Sequence, residues 1–335
     1  MMLVYTRPSR CLVCEGGLDP YLEGVEDRVY GVPGLWNFVR CLRSDCAVIY
    51  LDHDLTSEQL AGFYEDYGTH APPALDATGL KRFYRGALAA VQEDRLGYVH
   101  EVGGAERLAG RLLALVPFFR ENALSRLFWL PAKRGGRVLE VGFGNAQAMT
   151  QLRAAGWEAV GCEFDEFCVD QARRLGFEAH LGGLLDAGFS ANSFDAVVAS
   201  HAVEHVPDPV AFVREAARVL RPGGSLVLLT PNAASRDAHV FGHHWRGLEA
   251  PRHLTIHTPR SLQKMAELAG FSDIRVFGTP LAGFILQQSR ELRNGAKPSG
   301  GQGLKTLPYN VQAGLRAARN HLGSEEIVLH CRMPS

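Results

Sequence analysis

The 335-residue chain has no apolar stretch near the roughly 18 consecutive residues that a membrane-spanning helix requires. It also lacks an excess of either charge. Thirty-five basic residues against 36 acidic ones leave a formal net charge of −1, so no overall basic field draws it to nucleic acid or an anionic membrane. The opening MMLVYTRPSR carries neither the long apolar region nor the small-residue cleavage site of a secretory signal. Cytoplasm is therefore the expected location. Cysteine is sparse: seven residues, an odd number at irregular spacing, argue against a disulfide framework. What remains is ordinary for a globular protein, with 46% hydrophobic and 21% charged residues. The length suffices for one full α/β domain and a smaller one.

The most informative stretch is Arg137 to Asp165, RVLEVGFGNAQAMTQLRAAGWEAVGCEFD. Val138, Leu139 and Val141 form a short apolar run bounded by glycines, as a strand buried on both faces does. Gly142 and Gly144 let the backbone turn tightly beside a ligand. Ala146 to Ala155 has helical composition, and Gly156 stands where that helix should stop. Ala159 to Cys162 reads as a second strand, ending in Glu163. An acid about twenty residues beyond such glycines lies where a doubly wound sheet puts a carboxylate on a ribose.

A dinucleotide fold calls for a third glycine so that a pyrophosphate can sit on the helix N-terminus. Gln147 occupies that position, and Glu140 would be out of place beside a pyrophosphate. The pattern E-V-G-F-G-N instead resembles the first motif of class I S-adenosylmethionine (SAM) methyltransferases. F-D-A-V-V from Phe194, E-H-V-x-D-P from Glu204, R-P-G-G from Arg221 and T-P-N from Thr230 resemble the later motifs in the same order. The resemblance covers roughly Ala132 to Thr279. It implies a Rossmann-like, doubly wound seven-stranded α/β sheet whose last strand, Glu326 to Cys331, inserts antiparallel. It also implies that Glu163 takes the ribose and Phe164 packs on the adenine. Leu184 and Leu185 would offer backbone or apolar contact to the base; Glu140, Gly142, Gly144, Asn145, Ser200 and His201 would border the rest of SAM.

Four cysteines fall within the first 46 residues, Cys11-L-V-Cys14 and Cys41-L-R-S-D-Cys46. Two cysteine hairpins about 25 residues apart suit a tetrahedral structural zinc site, and so small a segment needs a metal for stability. The stretch resembles the zinc-ribbon leader in front of some bacterial SAM methyltransferases. Phe63, Tyr64 and Tyr67 match its aromatic helix and either pack on the next domain or line the acceptor pocket. The expected organisation is a zinc-ribbon-like module at 1–69 and a linker and helical lid at 70–130. The SAM-binding domain would occupy 131–335, with an insertion at about 281–323 that includes a polar, glycine-rich excursion from Gln287 to Gly303.

Methyl displacement from a sulfonium demands alignment, and an oxygen or carbon acceptor must also lose a proton. His205 or His253 is the expected base, with His201 and Glu204 beside them, histidine titrating near neutrality. Some relatives bind a divalent metal at such a place, which makes His201, Glu204, His205 and His253 an alternative ligand set. Trp245, Arg246 and Arg252 either hold an anionic or sugar-like acceptor or simply pack. The expected partner is a small-molecule acceptor, with neither nucleic acid nor membrane. Three other readings compete: a nicotinamide oxidoreductase, a nucleic-acid methyltransferase and a catalytically silent SAM-binding scaffold. The second should carry a basic face, yet Met1 to Asp54 holds eight acids, fewer arginines and no lysine.

Overall fold

The computed structural model describes residues 4–64, 78–298 and 306–335. Three short strands open the chain, β1 (Leu18–Val25), β2 (Trp36–Cys41) and β3 (Ile49–Leu51). They are followed by α1 (Ser57–Gly62), whose start is fixed by a capping box between Thr56 and Gln59. Tyr67 and most of the expected linker lie outside the described residues. Three helices come next, α2 (Gly79–Leu96), α3 (Gly104–Ala114) and α4 (Pro117–Ser125).

The alternating part then runs β4 (Arg137–Val141), α5 (Gln147–Ala154), β5 (Glu158–Glu163), α6 (Glu166–Arg174) and β6 (Glu178–Leu181). It continues through β7 (Phe194–Ser200), α7 (Pro209–Val219), β8 (Leu220–Pro231), α8 (Arg236–Phe241), β9 (Thr255–Ile256), α9 (Pro259–Leu268) and β10 (Ser272–Gly278). Last come α10 (Gly283–Arg293), α11 (Leu307–Arg319) and β11 (Glu326–Arg332). Several helix starts have a local cause, a side chain that caps the first turn. In α7, Asp208 caps the Val210 and Ala211 amides and Pro209 sits in the first turn. Its buried face, with Val210, Val213, Ala216 and Ala217 among its residues, follows the helical period against the sheet.

The large sheet has the order β10-β11-β8-β7-β4-β5-β6. β6, β5, β4, β7 and β8 run parallel, and β11 inserts antiparallel between β8 and β10. This is the seven-stranded arrangement expected from the resemblance. The central strands are buried on both faces, which is why they read as apolar runs rather than alternating ones. No helix among the described residues is long and apolar enough to cross a membrane.

At R-P-G-G, β8 already begins at Leu220, which pairs with Phe194 before the register shifts near Gly223. One local expectation needs correction. The stretch from Gln287 is not an irregular excursion as far as Arg293, because α10 carries it. Two of its polar residues, Gln287 and Ser289, are turned inward, with the Ser289 hydroxyl donating to the Ile285 carbonyl at 2.7 Å.

A second sheet, β1-β2-β3-β9, joins the N-terminal segment to the rest of the chain. β9 belongs to the loop after β8, so the first 60 residues are completed by a strand from some 200 residues later. Thr258, which caps α9, also donates its hydroxyl to the Cys46 carbonyl at 2.6 Å. Val48 and Tyr50 bury into the same core as Leu262 and Met265.

Candidate active site

Open parallel sheets hold ligands beyond the carboxyl ends of their strands, where the strand order reverses. Here that place lies between β4 and β7, whose ends lead into the glycine turn and into His201. Gly142 adopts φ +72°, and a Cβ on it would come within 2.9 Å of the Ala202 Cβ. Gly144 adopts φ +51°. Both conformations are strained for side-chain-bearing residues. Phe143 between them folds back over β5, and only Gly161 leaves room for its ring, since a Cβ there would sit 2.3 Å from Cδ1.

Glu163 ends β5 and is tied to the turn: its Oε2 accepts from the Gly144 amide at 2.9 Å. Its Oε1 accepts from the Phe164 amide at 2.7 Å. Burial raises its pKa against the pull of these amides. Phe164 is 47% exposed and its ring lies over Gly183, where a Cβ would meet it at 2.7 Å. Beneath the turn, Glu140 is buried with Oε2 lacking a hydrogen-bond partner. Burial first, then the Glu163 charge, push its pKa up to about 8. An orphaned carboxyl oxygen and a surface without Cβ atoms, side by side, fit a cationic, ribose-bearing ligand.

Asn145 stays in the turn, its Oδ1 accepting from the Gln147 amide at 3.2 Å. Ser200, at the end of β7, is half-buried. Of the two contacts expected of Leu184 and Leu185, the buried Leu184 side chain leaves its backbone for a base, while Leu185 is 50% exposed.

His201 departs from expectation, since both its nitrogens are engaged. Nδ1 lies 3.3 Å from Glu204 Oε1 and Nε2 lies 3.1 Å from Glu326 Oε1. Burial would lower its pKa, but the two carboxylates outweigh that and raise it to about 10. Burial likewise opposes ionisation of Glu204, yet His201 holds it down at about 2. His201 is thus a fixed cation, unsuited to accept a proton or to ligate a metal. It also sits at φ +53°, a strain that the double pairing offsets.

The pairing has a pH signature. His201 contributes stability in full below about 6.5, and this fades as pH climbs toward about 10. The Glu204 contribution is present above about 4.5 and is lost as pH falls toward about 2. His201→Ala would leave two buried carboxylates without their partner and should destabilise the chain by about 3–5 kcal/mol. Urea titrations of both proteins at pH 6 test this; equal midpoints would contradict it.

His205 and His253 meet edge to face with ring centroids 4.8 Å apart. His253 is buried, and its Nδ1 donates to the Gly247 carbonyl at 2.8 Å. Burial lowers its pKa to about 4, so it stays neutral. His205 is half-buried. Its Nδ1 lies 3.0 Å from the Arg252 carbonyl and 2.8 Å from the Tyr64 hydroxyl. A carbonyl only accepts, so Nδ1 carries the hydrogen and Nε2 keeps its lone pair. Glu204, His205 and His253 each bring one ligand atom within 4.8 Å of the others, while Glu204 Oε1 also faces His201 Nδ1 at 3.3 Å.

Tyr64 comes from the N-terminal segment, 141 residues before His205, and spacing gives no sign of the contact. Glu326 and Glu249 escape sequence reasoning in the same way. Trp245 donates to Glu325 at 2.8 Å and is buried. Arg246 pairs with Glu249 and with Gln288. Arg252 is 2% exposed, bonded to Asp27 at 2.9 Å and to the Phe63 carbonyl at 2.8 Å. Arg252, and Arg246 through the Tyr30 hydroxyl at 3.3 Å, fasten the loop to the N-terminal segment, whereas Trp245 fastens it to the approach to the last strand.

The four N-terminal cysteines converge. Cys11 and Cys46 sulfurs are 3.6 Å apart, Cys14 and Cys41 sulfurs 3.4 Å. One ligand atom of each lies within 4.8 Å of all the others. None of the seven cysteines is in a disulfide. Glu15, at φ +59°, makes the turn after Cys14 that a glycine usually makes.

A family model described as "Methyltransferase domain" matches residues 109–276, half of the chain. The chain belongs to the class I SAM-dependent methyltransferases. A ubiquinone biosynthesis O-methyltransferase from Idiomarina loihiensis is 30% identical to this methyltransferase over 190 residues, covering 51% of the chain and 74% of that relative. A 27-O-demethylrifamycin SV methyltransferase from Amycolatopsis mediterranei is 32% identical over 122 residues, covering 32% of the chain and 45% of that relative. Among solved structures, a SAM-dependent methyltransferase from Archaeoglobus fulgidus aligns with a TM-score of 0.43 at 17% identity, over 72% of this chain and 97% of its own.

Proposed function

We propose that this methyltransferase moves a methyl group from SAM to a hydroxyl oxygen of a small molecule, with His205 as the base. The observation that carries the reading is the His205 imidazole beside the cofactor crevice, its Nδ1 held by a carbonyl and its Nε2 basic. When bound, SAM supplies a methyl group on a positively charged sulfur. Glu163 keeps lone pairs for the ribose hydroxyls, and Phe164 offers a face to the adenine. The positive charge of the methionine end, which Asn145 and Ser200 border, favours the ionised form of Glu140 over the protonated form that burial otherwise favours. His205 takes the hydroxyl proton as the oxygen attacks, while Glu204, kept ionised, favours the resulting imidazolium. His253, neutral and buried, shapes the pocket rather than titrating.

The names of the two relatives support an oxygen rather than a carbon as acceptor. The test is incubation with methyl-tritiated SAM and the small-molecule, nucleic-acid and protein fractions of the source cell. Label should appear in the small-molecule fraction. Label in a macromolecular fraction alone, or in none, would overturn the reading, the latter in favour of a silent SAM-binding scaffold.

A second reading places a divalent cation on Glu204, His205 and His253, favoured by the convergence of their ligand atoms within 4.8 Å. Metal analysis of dialysed protein, before and after chelation, separates the two.

The N-terminal cysteines we assign to a structural zinc. Four thiolates about 2.3 Å from a tetrahedral ion stand about 3.8 Å apart, close to the 3.4 and 3.6 Å seen here. One zinc per chain is expected, lost in Cys11→Ser/Cys46→Ser. Wild-type protein purified without zinc yet fully folded would contradict the assignment.

A further inference from the structure

Away from the crevice, α2, α4 and α5 enclose a cavity of about 290 Å³. Its polar lining includes Arg85, Gln92, His100, Arg126, Gln147 and Gln151. Leu88, Leu127 and Ala154 supply apolar wall. None of Gly142, Gly144, Glu163, Phe164, Ser200 or His201 takes part, so this is not the cofactor crevice. The volume is at the low end for small-molecule sites, enough for a compact organic ligand.

Two groups in the lining lack what burial normally demands. Arg126 is half-buried, and its hydrogen bond is a long one, 3.5 Å to the Asn122 side chain. Among the described residues no carboxylate pairs with it, whereas the partly buried Arg246 and Arg316 and the buried Arg252 each meet one. Burial, and then the field of Arg85, disfavour its charge. The second group is His100, whose Nε2 is buried without a hydrogen-bond partner. Its ring stacks on Tyr98, and burial keeps it neutral, so that nitrogen can serve as a donor.

A guanidinium with no counter-charge and a neutral donor left unmet, on an apolar wall, describe the complement of an anion on a small apolar body. We propose that this cavity binds a small organic anion, a carboxylate or phosphate on an apolar ring, at a site separate from the SAM crevice. The two sites adjoin through one element. Gln147, which lines the cavity, is the first residue of α5 and directly follows Ala146 at φ +58° in the glycine turn.

The test is calorimetric titration of the whole chain, free and saturated with S-adenosylhomocysteine, using benzoate and phenyl phosphate as probes. At least one probe should bind in both forms, the better one identifying the head group. Arg126→Gln should weaken binding about tenfold or more while S-adenosylhomocysteine affinity is retained. Gln151→Glu, which sets a like charge at the same cavity without removing a buried group, should do the same. Absence of binding by both probes up to about 10 mM, a Kd that corresponds to less than 3 kcal/mol, would overturn the proposal. Binding abolished by S-adenosylhomocysteine would overturn it too, by making the cavity part of the cofactor site. So would binding that neither variant weakens.

Discussion

Glu163→Ala is expected to weaken S-adenosylhomocysteine binding about 10²- to 10⁴-fold. Two ribose hydroxyls donating to a carboxylate are worth about 1.5–3 kcal/mol each, and every 1.4 kcal/mol is tenfold. The carboxylate is already oriented by the Gly144 and Phe164 amides, so binding does not spend free energy on ordering it. Removal should also release those amides and loosen the glycine turn, adding to the loss. Calorimetry on the purified variant reads the effect, and wild-type affinity would refute the assignment of Glu163 to the ribose.

The second large effect is expected at His205. His205→Ala should lower kcat about 10²- to 10⁴-fold, the range for a positioned general base, with cofactor affinity unchanged. The separation follows from the proposed assignment: the ribose and adenine are given to Glu163 at the end of β5 and to Phe164, whereas His205 lies beyond Ser200 at the end of β7. Tyr64→Phe removes a hydroxyl 2.8 Å from His205 Nδ1 but leaves the Arg252 carbonyl at 3.0 Å, so its effect should be smaller. Single-turnover rates and S-adenosylhomocysteine titrations on both variants check this. A His205→Ala enzyme with wild-type kcat would remove the base from the proposal.

Local chemistry made part of this legible from sequence. The turn, the helix and the acid at Gly142, Gly144 and Glu163 lie within one β-α-β unit, whose length fixes their spacing. The repeated strand–helix alternation does the same for the sheet. The cysteine hairpins bring Cys11 to Cys14 and Cys41 to Cys46 by short-range spacing. Long-range contacts left no such trace. Nothing near His201 announces Glu326, which arrives on the last strand and turns an expected participant in chemistry into a structural cation. Arg252 looks free in the sequence and proves to be clasped by Asp27 and Phe63. β9 is two residues long, too short to show a period, yet it completes the N-terminal sheet. α10 was disguised by Gln287 and Ser289, polar residues that are buried.

The most direct test is a crystal structure of the complex with S-adenosylhomocysteine, read for one distance. Both ribose hydroxyls should lie within hydrogen-bond reach of the Glu163 carboxylate, about 2.5–3.0 Å, with the sulfur on the His205 side of the crevice. A nucleoside bound elsewhere, or a ribose out of reach of Glu163, would contradict the account.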